Sequence, residues 1–132
     1  MYKKTLLIFF LITSFFAFIA NAEESVNYLL TAASKGDLET LIAILESGGN
    51  PNSKDEDGVT ALMYAARKDM DKIVALLIKK GASVDATESN GWTALMFAAK
   101  KNYIRSAQLL LDNGADPKIR DNDGWSAYGL AA

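Results

Sequence analysis

Gly58-Val59-Thr60-Ala61-Leu62-Met63-Tyr64-Ala65-Ala66 returns 33 residues later as Gly91-Trp92-Thr93-Ala94-Leu95-Met96-Phe97-Ala98-Ala99. Gly124-Trp125-Ser126-Ala127-Tyr128 opens a further copy at the same offset and runs on to Ala131-Ala132. Backwards along the chain, Ala32-Ala33 precede Ala65-Ala66 by 33 residues without the Gly-x-Thr opening, and Gly48, Gly81 and Gly114 keep the same register. A fixed period of this length marks a repeat architecture, in which each unit buries its apolar face only against its neighbours.

Within a unit the local signals follow one order. Thr60, Thr93 and Ser126 stand where an N-cap hydroxyl accepts from the first free amides of a helix. A short helix with paired Ala follows, ending near Gly36, Asp69 and Asn102, three residue types that tolerate a left-handed backbone. A second helix has apolar spacing of three and four: Ile73, Leu76 and Leu77 in one copy, Ala107, Leu110 and Leu111 in the next. Gly81 and Gly114 are placed to end it as C′ glycines. The stretch that leads back to the next unit is polar, with Asp57-Gly58, Asn90-Gly91 and Asp123-Gly124 as turn signals.

Gly-x-Thr-Ala-Leu-Met-x-Ala-Ala, then Lys72-Ile73-Val74 through Leu76-Leu77, then Gly81-Ala82-Ser83-Val84-Asp85 and Gly114-Ala115-Asp116-Pro117 resemble the ankyrin repeat. The likeness covers nearly all of residues 25–132. It implies an all-α solenoid of helix-turn-helix units with hairpin-like turns, over residues 23–132, with repeats at approximately 24–56, 57–89 and 90–122 and a partial one at 123–132. The family's Thr-Pro-Leu-His reads Thr60-Ala61-Leu62-Met63 and Thr93-Ala94-Leu95-Met96, which removes a preset φ and a hydrogen-bonding side chain. The Gly-His that separates the family's helices reads Asp69-Met70 and Asn102-Tyr103, so a slightly strained turn is expected there. Ser25 to Gly49 is expected to cap one end, with Glu23, Glu24, Lys35 and Glu39 facing solvent. At the other end the fourth unit, with apolar Trp125, Tyr128 and Leu130, reads as a half-repeat cap on residues 100–113 or, alternatively, as a docking face.

The first 22 residues are of another kind. Lys3 and Lys4 precede an uncharged stretch from Thr5 to Ala22, apolar from Leu6 to Ala20, which closes with Ala20-Asn21-Ala22 before Glu23-Glu24. Basic, apolar and small-x-small parts in that order are those of a secretory signal peptide. The expected mature chain begins at Glu23 and is exported, to the periplasm if the source is bacterial and otherwise by secretion, with no membrane insertion after cleavage. An uncleaved anchor is the alternative, because the span is near the ~18-residue threshold for crossing a bilayer.

The chain's 14 Lys and Arg stand against 16 Asp and Glu; without Lys3 and Lys4 the body carries a net charge of about −4. That balance argues against nucleic acid as a partner. With no Cys and no His, Ser-His-Asp or Cys-His catalysis, zinc clusters and disulfides are excluded within this chain. Asp55-x-Asp57-Gly58 and Asp121-x-Asp123-Gly124 echo the start of a calcium loop, but the first ligand would be Ser53 or Ile119 and the twelfth Tyr64 or Leu130. Without those carboxylates turn chemistry is the better reading. No catalytic residue, metal or cofactor is therefore expected, and the chain is not read as an enzyme.

Two sets of residues remain as binding candidates. Lys35, Lys68 and Lys101, joined by Arg67 and Lys100, share a register at the ends of the first helices and are expected to form a basic edge. Asp55, Glu56, Asp57, Glu88, Asp121 and Asp123 lie on the hairpins and are expected as an opposite, solvated acidic edge. Val59, Trp92 and Trp125 occupy one register just before the N-cap, which the resemblance places toward the concave groove. With Glu56, Asp57, Ser89, Asn90 and Asp123 they would wall a surface for a protein partner, although each indole equally suits a covering role on the adjacent hairpin. Tyr64 and Phe97 are expected to pack between repeats. A self-associating structural protein, stacking weakly through its open C-terminal repeat, and an inhibitor or immunity-like partner of a secreted enzyme are the other readings.

Overall fold

The computed structural model describes residues 23–132; the leader expected at 1–22 lies outside the described residues. The elements among the described residues are all helices, joined by turns and hairpins: α1 over 23–35, α2 Leu38–Glu46, α3 Ala61–Arg67, α4 Asp71–Lys79, α5 Ala94–Lys100, α6 Ile104–Asp112 and α7 Ala127–Ala131. α3 packs on α5 and α5 on α7, while α2, α4 and α6 form a parallel second row, giving the expected solenoid. No helix among the described residues is long and apolar enough to cross a membrane.

The first helices begin as their sequences direct. The hydroxyls of Thr60, Thr93 and Ser126 accept from the amides of Met63, Met96 and Gly129. In α3 the Thr60 amide in turn points at the Met63 sulfur, 3.5 Å away, so a weak thioether acceptor occupies the place of the family's His. α2 starts at Asp37, which accepts from the Thr40 hydroxyl and amide at 2.7 and 3.1 Å. Those two bonds and the nearby Lys35 charge hold the Asp37 carboxyl below the ordinary carboxylate value.

The helices end in one recurring motif. The Ala82 amide donates to Leu77 and the Gly81 amide to Ile78, and Ala115 and Gly114 repeat the pair on Leu110 and Leu111. These are the 6→1 and 5→2 bonds of a Schellman ending. The first helices end the same way, with Met70 donating to Ala65 and Tyr103 to Ala98. The motif demands a left-handed C′ residue, and Gly36 meets that demand at φ 76°, where Asp69 and Asn102 sit at 54° and 56°. The strained turns expected from the sequence are these two.

Leu29, Leu41, Leu62, Met63, Val74, Leu77, Met96 and Leu110 are sealed in one continuous core. The second-helix stripe needs one correction. The residue in register with Ile73 is Ser106, not Ala107; Ser106 is fully buried, and Leu111 is 42% exposed. The Ser106 hydroxyl donates to Asp69 at 2.7 Å across the α3–α4 turn, which is why a polar residue holds a core position. Leu111 is bare because the face of α4 that α6 covers has no equivalent cover on α6. Further bonds tie unit to unit: Asn52 accepts from the Ser83 amide, Asp85 from the Asp116 amide, and Arg105 pairs with Asp71 at 3.0 Å.

Candidate functional site

Each hairpin is closed by one acidic residue. Asp55 accepts from the amides of Asp57 and Val59, Glu88 from those of Asn90 and Trp92, and Asp121 from those of Asp123 and Trp125, all at 2.8–3.0 Å. Across each turn the same residue donates its own amide to Val59, Trp92 or Trp125. The expected solvated acidic edge is corrected accordingly. Glu88 and Asp121 are 9% and 8% exposed, Asp55 is half-buried, and all three serve the turns. Glu56, Asp57 and Asp123 remain exposed at the tips. Of the carboxylates that a calcium loop would aim at a cation, those of Asp55 and Asp121 each have one oxygen engaged by two backbone amides.

The hairpins are also bonded to one another. The Ser89 amide donates to the Asp57 carbonyl and the Asn122 amide to the Asn90 carbonyl, both at 2.9 Å, and the Asn122 side chain reaches the Ser89 carbonyl. Gly91, at φ 80°, lies so close under the next turn that an added Cβ would meet Asn122 Oδ1 at 2.9 Å. The wall of Glu56, Asp57, Ser89, Asn90 and Asp123 is therefore a stacked strip with a fixed backbone, carrying its side chains outward.

Beneath the strip lies the aromatic register. Trp92 is half-buried, its ring 5.0 Å from that of Phe97 at an interplanar angle of 51°. Val59 is half-buried as well, whereas Trp125 is 55% exposed and lies against Gly129, in register with Met63 and Met96, which leaves room for its ring. Tyr64 and Phe97, both expected to pack between repeats, are partly buried against the shared core; the ring contact of Phe97 lies inside its own unit, and the Tyr64 hydroxyl reaches the end of the preceding one. Phe97 meets Trp92, and the Tyr64 hydroxyl donates to Asp55 at 2.8 Å. That bond first, then burial and the Asp55 charge, pushes the Tyr64 phenol above its ordinary value.

Lys35, Lys68 and Lys101 do fall at the ends of α1, α3 and α5, with Arg67 and Lys100 beside them, all exposed. Lys68 Nζ donates to the Ser34 carbonyl at 2.7 Å and so ties α3 to α1. Arg67 stands 5.1 Å over the Tyr64 ring. Asp55, Tyr64 and Arg67 thus run in line from the hairpin to the basic edge, which sequence spacing had kept apart. Two hollows open along this line. One of ≈ 270 Å³ is bounded by Thr31, Lys35, Asp55 and Tyr64; the other, of ≈ 620 Å³, by Glu23, Lys54, Glu56 and Asp57, and Asn27 and Asp55 border both.

Rigid backbone, half-exposed aromatic rings and separated charges are the means of binding a protein surface. Among the described residues no group of acidic side chains is arranged to hold a metal ion. No curated protein matches the chain. A family model of ankyrin repeats, in three copies, matches residues 29–121, and repeats of this kind are generally protein–protein interaction modules. With the period, the Schellman turns and the stacked hairpins accounted for by one architecture, the chain belongs to the ankyrin-repeat family.

Proposed function

We propose that this ankyrin protein is exported and binds a partner protein through its concave face. Trp92 carries the reading. Its indole stays half-exposed on Phe97 beside a hairpin strip that is already fixed, so docking would cost little ordering. Tyr64 with Arg67, and the tips Glu56, Asp57, Ser89, Asn90 and Asp123, extend the surface on either side. Val59 and Trp125 continue the aromatic register, and Lys35, Lys68, Lys100 and Lys101 supply a basic margin that orients the encounter. Trp is over-represented among binding hot spots, where truncation commonly costs about 2 kcal/mol or more.

The test uses a partner captured from the exported fraction. Trp92→Ala should weaken that partner at least tenfold, equivalent to about 1.4 kcal/mol, with the thermal midpoint little changed. A large fall in midpoint with affinity per folded molecule unchanged would assign the indole to the fold alone. The export half is read separately, from intact mass. A chain beginning at Glu23 supports cleavage after Ala20-Asn21-Ala22, and full-length chain in the membrane fraction supports the anchor reading instead.

A further inference from the structure

Five of the twelve Lys and Arg in residues 23–132 stand at the ends of α1, α3 and α5, exposed, on a body of net negative charge. Helix polarity favours a base in a last turn, and α4 also has one in Lys79. The architecture does not require it, because α2 and α6 close on Glu46 and Asp112 with no base in their last turns. The fold also leaves the edge without counter-ions. Among the described residues Arg105 alone forms an ion pair, with Asp71 in the other row of helices. The acids beside the edge are turned to bonds of their own. Asp37 accepts from the Thr40 amide and hydroxyl, and Asp69 from those of Ser106. Asp55 has one oxygen on two hairpin amides and the other on the Tyr64 hydroxyl. Two of the cations are already positioned. Lys68 Nζ is held on the Ser34 carbonyl, and Arg67 lies over the Tyr64 ring.

We infer that the partner meets this edge with an acidic segment, whose Asp and Glu carboxylates bridge the cations of successive units. The inference rests on the docking reading above and names the chemistry of the partner. Neighbouring helices pack about 10 Å apart, so an extended segment passes from Lys35 to Lys101 in about six residues. A carboxylate at every third position then meets one unit after another. Each exposed pair contributes little alone, and one segment that engages several gains from their linkage. The hollow of ≈ 270 Å³ beside Lys35 has room for one such side chain, and the Thr31 and Ser34 hydroxyls border it. Arg67 and Lys100 follow Tyr64 and Phe97 by three residues on the same helix faces, so the basic edge continues the aromatic register. A broad anionic surface fits less well. It would also meet the exposed acids Glu56, Asp57 and Asp123 at the hairpin tips, which a narrow segment avoids.

A labelled oligoglutamate peptide of about ten residues, titrated with the full chain at low ionic strength, tests the inference by fluorescence anisotropy. The peptide should bind. Lys100→Gln with Lys101→Gln should weaken it about fivefold or more, as should Lys35→Gln with Arg67→Gln, with thermal midpoints little changed. Lys79→Gln with Lys80→Gln removes the same charge from the end of α4 and should leave the affinity within about twofold. No binding up to millimolar peptide overturns the inference. Equal weakening by the α4 pair overturns it too, since the attraction would then be one of net charge. Retention of the chain on phosphatidylglycerol vesicles, abolished by the edge variants, would give the edge to a membrane and overturn it. The docking reading is judged apart. A captured partner that Trp92→Ala weakens and both edge pairs leave unchanged overturns the acidic segment alone. One that the edge pairs weaken and Trp92→Ala does not keeps the segment and removes the indole.

Discussion

At Glu88 one carboxylate oxygen accepts the amides of Asn90 and Trp92, and the side chain is 9% exposed; Glu56, at a neighbouring tip, stands in solvent. Removing Glu88 strands two turn donors, so Glu88→Ala should cost about 1–3 kcal/mol. Glu56→Ala should stay within about 0.5 kcal/mol. Urea unfolding of both variants checks the contrast, and equal losses would mean that the turn does not depend on its carboxylate. The turns were legible through Asp-Gly and Asn-Gly, and Glu56, Asp57 and Asp123 through their place at the tips, but all six acids were expected in solvent. The distinction lies in which acid reaches back over the turn, and adjacency in the chain does not encode that. Tyr64 gives a second residue-scale expectation. Its folded phenol lies above the ordinary value of 10.0, so the native state holds this proton more tightly than the unfolded chain does. The stabilisation is fully present below pH about 10 and is lost as pH rises through the raised folded value. Tyr64→Phe should therefore lose less stability than the parent between neutral and alkaline pH. An identical alkaline slope in the two proteins would show that the Asp55 bond does not bias the phenol.

Among the elements, the ends of the first helices separate two roles that one backbone position can combine. Asp69 and Asn102 both occupy the left-handed C′ site, but Asp69 also accepts from the Ser106 hydroxyl and amide at 2.7 and 3.3 Å. Asn102→Gly relieves the Cβ strain and should stabilise by up to about 1 kcal/mol. Asp69→Gly relieves the same strain yet leaves the fully buried Ser106 hydroxyl without its acceptor. A loss of about 1–3 kcal/mol then outweighs the gain. Thermal midpoints of the two variants should move in opposite directions; movement in the same direction would mean that Asp69 serves the turn and not α6. The left-handed sites, the caps and the helix ends were legible because each depends on residue types a few positions apart. Ser106 was not, since a lone Ser in an apolar stripe shows its reason only when Asp69, 37 residues earlier, lies opposite. The same stripe rightly held Leu110, but it put Ala107 in the place of Ser106 and added Leu111, which stays exposed.

The whole molecule has two rows of helices joined on one side by stacked hairpins, and no unit buries a face without its neighbour. That arrangement sets how it unfolds. Leu77 and Leu110 are fully buried in α4 and α6, in register with one another, and α4 touches both α2 and α6. Truncating either to Ala should cost about 2–5 kcal/mol, the range for a buried Leu that leaves a cavity. In a long array such a loss would melt the affected units first, since stability is a sum of unit and interface contributions. With so few units every interface is needed, and the loss should appear as a fall of the whole transition, by on the order of 10 °C or more. The two Trp residues make this measurable. Trp125→Phe leaves Trp92 as the sole indole, reporting from the hairpin of the second full copy, while far-UV circular dichroism reports all the helices. In a Leu77→Ala background the two signals should move to a lower midpoint together. Fluorescence that holds while helicity is lost would mean that the hairpin strip, with its Ser89–Asp57 and Asn122–Asn90 bonds, is a separate cooperative unit. An unmoved midpoint in both Leu variants would overturn the assignment of the second-helix core face.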